Sequence, residues 1–116
     1  MTNGWLSRDE LGFPLESRMH MSLLCTIAHR GGQIWFSRDG EWLENMLADH
    51  FGLTREQREY ADPRWYRSKG SRAWRNDIQW VRKQLVDDGL IDNSVRDLWK
   101  LTDAGWRAIG VVRTDA

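Results

Sequence analysis

Apolar residues recur along the first part of the chain at the spacing of an amphipathic helix. The apolar positions are Leu15, Met19, Leu23, Leu24 and Ile27. They follow Pro14, which suits the start of a helix, and precede Gly31 and Gly32, which suit its end. The pattern therefore predicts a first helix between Pro14 and Gly31.

A short strand and a second helix are predicted next. The apolar run Gln33 to Phe36 is too short for a helix of its own and is typical of a strand. Ser37 or Asp39 can then cap a helix that ends at Gly52. Its apolar stripe consists of Trp42, Leu43, Met46, Leu47 and Phe51.

The segment "TREQ", Thr54 to Gln57, has the spacing of a capping box and predicts a short polar helix to about Tyr60. Asp62-Pro63 interrupts it, so residues 64–70 are predicted to form a loop.

Ser71 can cap the helix that follows, and this helix has two unlike faces. Its predicted core residues, which fall within about 60° of one another on a helical wheel, are Trp74, Ile78, Val81 and Leu85. The residues on its far side are Arg72, Arg75, Asn76, Gln79, Arg82 and Lys83. One face is therefore apolar and the other is basic.

The remaining chain predicts a hairpin and a last helix. Asp88-Gly89 ends the basic helix, and "LID" and "DLWKL" are short strands about a turn at Asn93-Ser94. Thr102 caps a helix that runs through Ile109. The predicted fold is mainly α with a small β-hairpin, in the order of a winged helix-turn-helix, whose helix before the hairpin enters the major groove of DNA.

The charge of the chain is unevenly distributed. The formal net charge is zero, yet Arg64 to Lys83 contain seven basic residues and the single acid Asp77, a balance of +6 that the rest of the chain offsets with −6. A solvated helix face usually mixes both signs. A cluster of cations suits phosphate, since each phosphate contact releases counterions, and the pattern therefore favours double-stranded DNA as the partner.

The basic band divides into two kinds of candidate contact. Base readout is expected from Arg75, Asn76, Gln79 and Arg82, because their side chains can bond to base edges in the major groove. Arg72 and Lys83 belong to the same basic face. Contacts to the phosphate backbone are expected from Arg64, Arg67, Lys69 and Arg96.

Eight tryptophans in 116 residues are an unusual content. Trp42, Trp74, Trp99 and Trp106 occupy apolar positions of predicted elements and are expected in the core. Trp65 and Tyr66 instead lie in the polar loop before the basic helix. They can stack on a base, surround a methyl group, or only attach the loop to the domain.

Several other functions are not favoured. The histidines are scattered without metal-ligand spacing, and no nuclease core, phosphate-binding glycine loop or catalytic triad pattern is present, so we expect no cofactor, no metal and no catalysis. The sequence contains no run of about 18 apolar residues, the length needed for a helix that spans a membrane, so no membrane partner is expected. The one cysteine is interpreted as a small buried apolar residue rather than a reactive thiol. Because a single cysteine cannot form an internal disulfide, the chain suits a reducing compartment and is expected to be cytoplasmic. No heptad pattern long enough to enforce dimerisation is present, so we expect a monomer or weak dimer.

Two segments give the chain a family resemblance. The helix pattern from Trp80 to Ile91 and the segment "WKLTDAG", Trp99 to Gly105, resemble the N-terminal winged-helix domain of Mrr-type restriction proteins. The resemblance covers most of residues 15 to 110. It implies a domain that recognises DNA, often modified DNA, and that usually lies beside a nuclease domain.

The leading hypothesis is the specificity domain of a modification-dependent restriction system that reads methylated DNA, with adenine methylation slightly favoured. The alternatives are a small winged-helix transcriptional regulator and a protein-interaction module. We expect an N-terminal lead at residues 1–14, the DNA-binding domain at 15–110 and a tail at 111–116.

Overall fold

A computed structural model describes residues 6–61 and 72–111. The helices are α1 (Glu16–His29), α2 (Phe36–His50), α3 (Arg55–Glu59), α4 (Ala73–Asp87) and α5 (Asp103–Ala108). The strands are β1 (Gln33–Trp35), β2 (Ile91–Asp92) and β3 (Leu98–Leu101). Three long helices and a hairpin were predicted, and the winged helix-turn-helix fold is confirmed.

The three strands form one antiparallel sheet in the order β1-β3-β2. Ile34 of β1 is paired with Trp99 of β3, and Ile91 of β2 is paired with Leu101. The sequence predicted β1 and the hairpin separately but not their pairing, which depends on residues far apart in the chain. We call β2, β3 and the connecting residues 93–97 the wing.

Helix α1 buries most of the predicted apolar stripe. Met19, Leu23, Leu24 and Ile27 are buried, whereas Leu15 is 67% exposed. The prediction for Leu15 was wrong because this residue occupies the N-cap position, before the helical face begins. Cys25 is exposed, so its interpretation as a buried residue was also wrong. It lies on the side of α1 away from the buried stripe.

The turn after α1 depends on Gly32. This residue has a φ of 96°, and a β-carbon at its position would collide with the indole of Trp106. Glycine satisfies both requirements, the left-handed backbone and the close approach. The predicted end of the helix at Gly31 and Gly32 is confirmed.

Helix α2 begins earlier than predicted and is capped differently. It starts at Phe36, directly after β1, and neither Ser37 nor Asp39 is its N-cap residue. Ser37 donates its backbone N–H to the Asp97 carboxylate at 2.9 Å, and Phe36 donates to the Asp97 carbonyl oxygen at 2.9 Å. The cap comes from the wing, sixty residues away, which no local pattern could indicate.

The apolar stripe of α2 is partly buried. Leu43 and Leu47 are buried, and Trp42 and Phe51 pack against the core, but Met46 is 41% exposed. The prediction for Met46 was therefore wrong. At the next turn, Thr54 forms the predicted capping box of α3.

The four predicted core residues of α4 are confirmed, since Trp74, Ile78, Val81 and Leu85 are all at most 2% exposed. Each such side chain contributes roughly 1.5 to 3 kcal/mol relative to full exposure. The helix begins at Ala73 with Arg72 as the N-cap residue, so the predicted cap by Ser71 was wrong. Ser71 itself lies outside the described residues.

The other three tryptophans that were expected in the core lie in it or against it. Trp99 is buried, while Trp42 and Trp106 are half-buried and packed against the core. Thr102 caps α5 as predicted, and its hydroxyl accepts the N–H of Gly105 at 3.0 Å.

Residues 6–14 pack on the helices and contribute Leu11 and Phe13 to the core. Arg8 forms a bidentate pair with Asp77 of α4, at 3.0 and 3.1 Å, and also donates to the carbonyl oxygen of Pro14 at 2.6 Å. Asp77 is the single acid of the basic band. Its negative charge is therefore neutralised by Arg8 of the N-terminal lead, and its side chain lies away from the basic side of α4.

We predict that Arg8→Ala lowers the free energy of unfolding by about 1 to 3 kcal/mol, because it leaves a carboxylate that is only 10% exposed without its partner. The control is Arg55→Ala, which removes an exposed pair with Glu59 and should cost at most about 0.5 kcal/mol. Urea denaturation at neutral pH measures both. Equal losses in the two variants would show that the Arg8 pair does not stabilise the fold.

Candidate nucleic-acid interface

The basic side of α4 is built by the helical period. Gln79 and Lys83 are exposed, and Arg72, Arg75 and Arg82 are half-buried. Arg72, Gln79 and Lys83 lie opposite the buried stripe, as the wheel predicted. Arg75 and Arg82 lie beside the stripe, roughly 70 to 90° from its centre, where side chains of α4 can still contact neighbouring elements.

Arg72 and Arg75 converge on one buried carboxylate. Glu44 of α2 accepts from Arg72 Nη2 at 3.0 Å, and its other oxygen lies 3.4 Å from Arg75 Nε. Burial raises the pKa of the Glu44 carboxyl, and the charges of Arg75 and Arg72 oppose that rise. The two arginines therefore offset the cost of burying this acid.

Arg75 is also held by its packing. Its guanidinium lies 5.0 Å from the ring centre of Phe36, and a β-carbon at Gly40 would come within 2.8 Å of its Nη2. Gly40 thus leaves space for this side chain against α2. Arg75 is directed toward the protein rather than away from it.

Arg82, two turns further along α4, has a different environment. Its guanidinium lies 5.5 Å from the ring centre of Trp99 in β3. Its Nε is buried and has no hydrogen-bond partner among the described residues. Among the residues that the structure describes, Arg82 is therefore positioned by an aromatic ring and not by an acid.

A groove of about 590 Å³ lies between α4 and the wing. Its floor includes Phe36 and Trp99, whose rings are stacked with centres 4.4 Å apart. The polar residues along its sides are Gln79, Arg82, Lys83, Asp87, Asn93, Arg96 and Asp97. The structure thus brings together three predicted residues of the helix and Arg96 of the wing.

The two acids of the groove have partners of their own. Asp87 accepts from Lys83 Nζ at 3.3 Å, between two exposed side chains. Asp97 bonds to the backbone N–H and the hydroxyl of Ser37. An exposed pair such as Lys83 with Asp87 contributes little and exchanges readily with other partners.

Asn76 differs from the other candidates for base readout. Its Nδ2 is buried and has no hydrogen-bond partner in the described part of the chain. The exposed amide on this side of α4 belongs to Gln79. Gln79 is therefore better placed than Asn76 to reach a base edge.

Five of the twelve predicted site residues lie outside the described residues. They are Arg64, Trp65, Tyr66, Arg67 and Lys69. The remaining seven lie on α4, at its N-cap, or in the wing.

Sequence reasoning missed four residues that shape the interface: Phe36, Glu44, Asp97 and Trp99. Phe36 was assigned only to a strand and Trp99 only to the core, because nothing in the sequence indicates that their rings stack. Asp97 is the only described non-glycine residue with a positive φ, 69°. Aspartate tolerates that conformation better than most residues, which is the one local signal for a turn here.

The sequence that forms most of this architecture matches a known family model. The model of the Mrr N-terminal domain matches residues 22–110, which include α4, the wing and most of α1. The chain belongs to the Mrr N-terminal domain family. Membership links it to restriction systems through the N-terminal, non-catalytic part of their proteins.

No curated protein and no solved structure matches the chain. Within residues 6–61 and 72–111, no cluster of metal-binding side chains is present. None of the helices described there has the length and apolar character needed to cross a bilayer.

We predict that Asp97→Gly lowers the free energy of unfolding by about 1 to 2 kcal/mol, the usual contribution of a helix cap. Glycine adopts the positive φ without strain, so the turn can be kept while the carboxylate that bonds to Ser37 is removed. Asp97→Asn keeps one side-chain acceptor and should lose less. Thermal unfolding of the three proteins ranks them, and a glycine variant as stable as wild type would show that the cap contributes nothing.

Proposed function

We propose that this Mrr N-terminal domain binds double-stranded DNA with α4 in the major groove and the wing on the adjacent backbone. The observation that carries the proposal is the groove, where Gln79, Arg82 and Lys83 of α4 face Arg96 of the wing. A helix of this size fits the major groove, and a wing beside it can contact the flanking phosphates.

The charge of the interface supports duplex DNA over a protein partner. Lys83 and Arg96 are exposed. Asp77, the one acid within the basic band, is occupied by Arg8. Cations in such positions gain affinity from phosphate through counterion release, and that affinity depends on salt. Binding of a protein partner on an incidental basic face would lack this steep dependence.

In the proposed function the domain is the specificity module of a modification-dependent restriction system, in the cytoplasm, and contributes recognition rather than cleavage. Residues 15–110 form the binding unit, which acts as a monomer or weak dimer. Arg64, Arg67 and Lys69, which precede α4 in the sequence, add phosphate contacts.

We predict that the domain binds duplex DNA and that its affinity falls steeply between 50 and 200 mM salt, as expected for several phosphate contacts, about a tenfold change or more. Lys83→Ala and Arg96→Ala should weaken binding to all sequences alike and each reduce the salt slope by roughly one. Titrations at several salt concentrations measure the slope.

The matched control for these titrations is Arg107→Ala. Arg107 is an exposed arginine of α5 that does not line the groove. It should keep the wild-type slope. Salt-independent binding, or an equal effect of Arg107→Ala, would count against the interface.

We further propose that Trp65 and Tyr66 contact a methyl group on the DNA, and that methylated adenine is preferred. Their neighbours Arg64, Arg67 and Lys69 would hold the pair against the backbone. A methyl group can be read only by apolar contact, which contributes about 0.8 kcal/mol per buried group and somewhat more in a fitted aromatic pocket.

We predict a preference of a few-fold to a few tens-fold for methylated over plain duplexes, lost in Trp65→Ala and Tyr66→Ala. Binding to plain, adenine-methylated and cytosine-modified duplexes is compared at one salt concentration. If both variants bind more weakly but keep the wild-type ratio, the pair is structural and does not read the methyl group.

A further inference from the structure

Two arginines on the same side of α4 have unlike surroundings, and the difference indicates which of them reads a base. Arg75 lies beside the buried Glu44 and over Phe36. Arg82 lies over Trp99, and no carboxylate of the described residues is within 4.0 Å of its nitrogens. The donors of Arg82 are thus not used by any acid in the described part of the chain.

Trp99 restricts the orientation of the Arg82 side chain. The indole is 4% exposed and is itself held by its stack with Phe36. A guanidinium against an aromatic face loses part of its rotational freedom before any ligand binds. The Nε is buried, so a ligand can reach only the terminal nitrogens of the group.

We propose that Arg82 recognises guanine in the major groove, with Trp99 as the positioning residue that orients its guanidinium. This inference rests on the proposed DNA-binding function. Guanine presents two adjacent acceptors, O6 and N7, in the major groove, whereas adenine presents one acceptor and one donor. A guanidinium has only donors, and its planar pair of N–H groups matches guanine.

Gln79 is placed to contact the base pair next to that guanine. It is exposed, lines the same groove and precedes Arg82 by three residues. Three residues advance about 4.5 Å along a helix, close to the spacing of about 3.4 Å between base pairs. The glutamine amide suits adenine. The recognised site therefore contains a guanine beside an adenine.

The experiment selects binding sites from randomised duplexes with the full chain and then measures affinities for matched duplexes that carry guanine or adenine at the selected position. Wild type should prefer guanine by about 5- to 150-fold, the range for one bidentate contact. Arg82→Gln should abolish or reverse this ratio, since glutamine suits adenine. A circular dichroism spectrum and a melting curve confirm that the variant is folded.

Lys83→Gln is the matched control, because it removes the same charge from the next residue. It should weaken both duplexes and keep the guanine to adenine ratio. A measurement independent of any substitution uses 7-deazaguanine, which lacks N7. This base should lower the affinity of wild type and leave Arg82→Gln unaffected.

The role of Trp99 is tested by Trp99→Phe, which keeps an aromatic ring in the core but shortens the surface under Arg82. The guanine to adenine ratio should fall while the salt slope stays the same. A merely structural role of Trp99 would instead weaken all duplexes alike.

Three results would overturn the assignment: a selected site without guanine, a ratio unchanged by Arg82→Gln, or equal weakening of all duplexes with a lower salt slope, which is the behaviour of a phosphate contact. Salt-dependent binding to every duplex without guanine preference would refute this inference alone. No binding to any duplex would refute the proposed function as well.

Discussion

The stack of Phe36 on Trp99 joins the wing to the helical body. Phe36 begins α2 and Trp99 lies within β3, and their rings are nearly parallel, at an angle of 6°. Arg75 and Arg82 of α4 each lie over one of these rings. The start of α2, the wing and α4 therefore meet at one aromatic pair, which lies in the groove between helix and wing. Side chains that are already ordered by packing lower the cost of ordering on binding.

The positive charge of the basic band is divided between the interior of the protein and the groove. Of the four described bases of the band, Arg72 and Arg75 stabilise the buried Glu44, whereas Arg82 and Lys83 line the groove. The N-terminal half of α4 thus uses its charge inside the protein, and the C-terminal half with the wing directs its charge outward. A net charge counted along the sequence cannot make this distinction, because it depends on where the acid of another helix lies.

Local signals in the sequence predicted the elements well, and long-range contacts explain the errors. The capping box at Thr54 and the apolar side of α4 depend on residues within a few positions of one another, and both were correct. The cap of α2 depends on Asp97, and the inward turn of Arg75 depends on Glu44, so both were missed. Exposure of Met46 was missed because spacing defines a face of a helix but not which neighbours cover it. Exposure of Cys25 was missed because its apolar neighbours in the sequence suggested burial, although the helical period places it away from the buried stripe.

Some residues of α4 bond within the protein and others are exposed in the groove, and this difference determines which positions of the helix can change without loss of the fold. Trp74 is buried and donates its indole N–H to the Glu44 carbonyl oxygen, and Asp77 is bonded to Arg8, so substitution at either removes contacts that hold the helix in place. Gln79 and Lys83 are exposed, and exposed substitutions usually change stability by less than about 0.5 kcal/mol. Under the proposed function, recognition can therefore vary at Gln79 and Lys83 independently of folding, because these two exposed side chains of the groove are not used by the core.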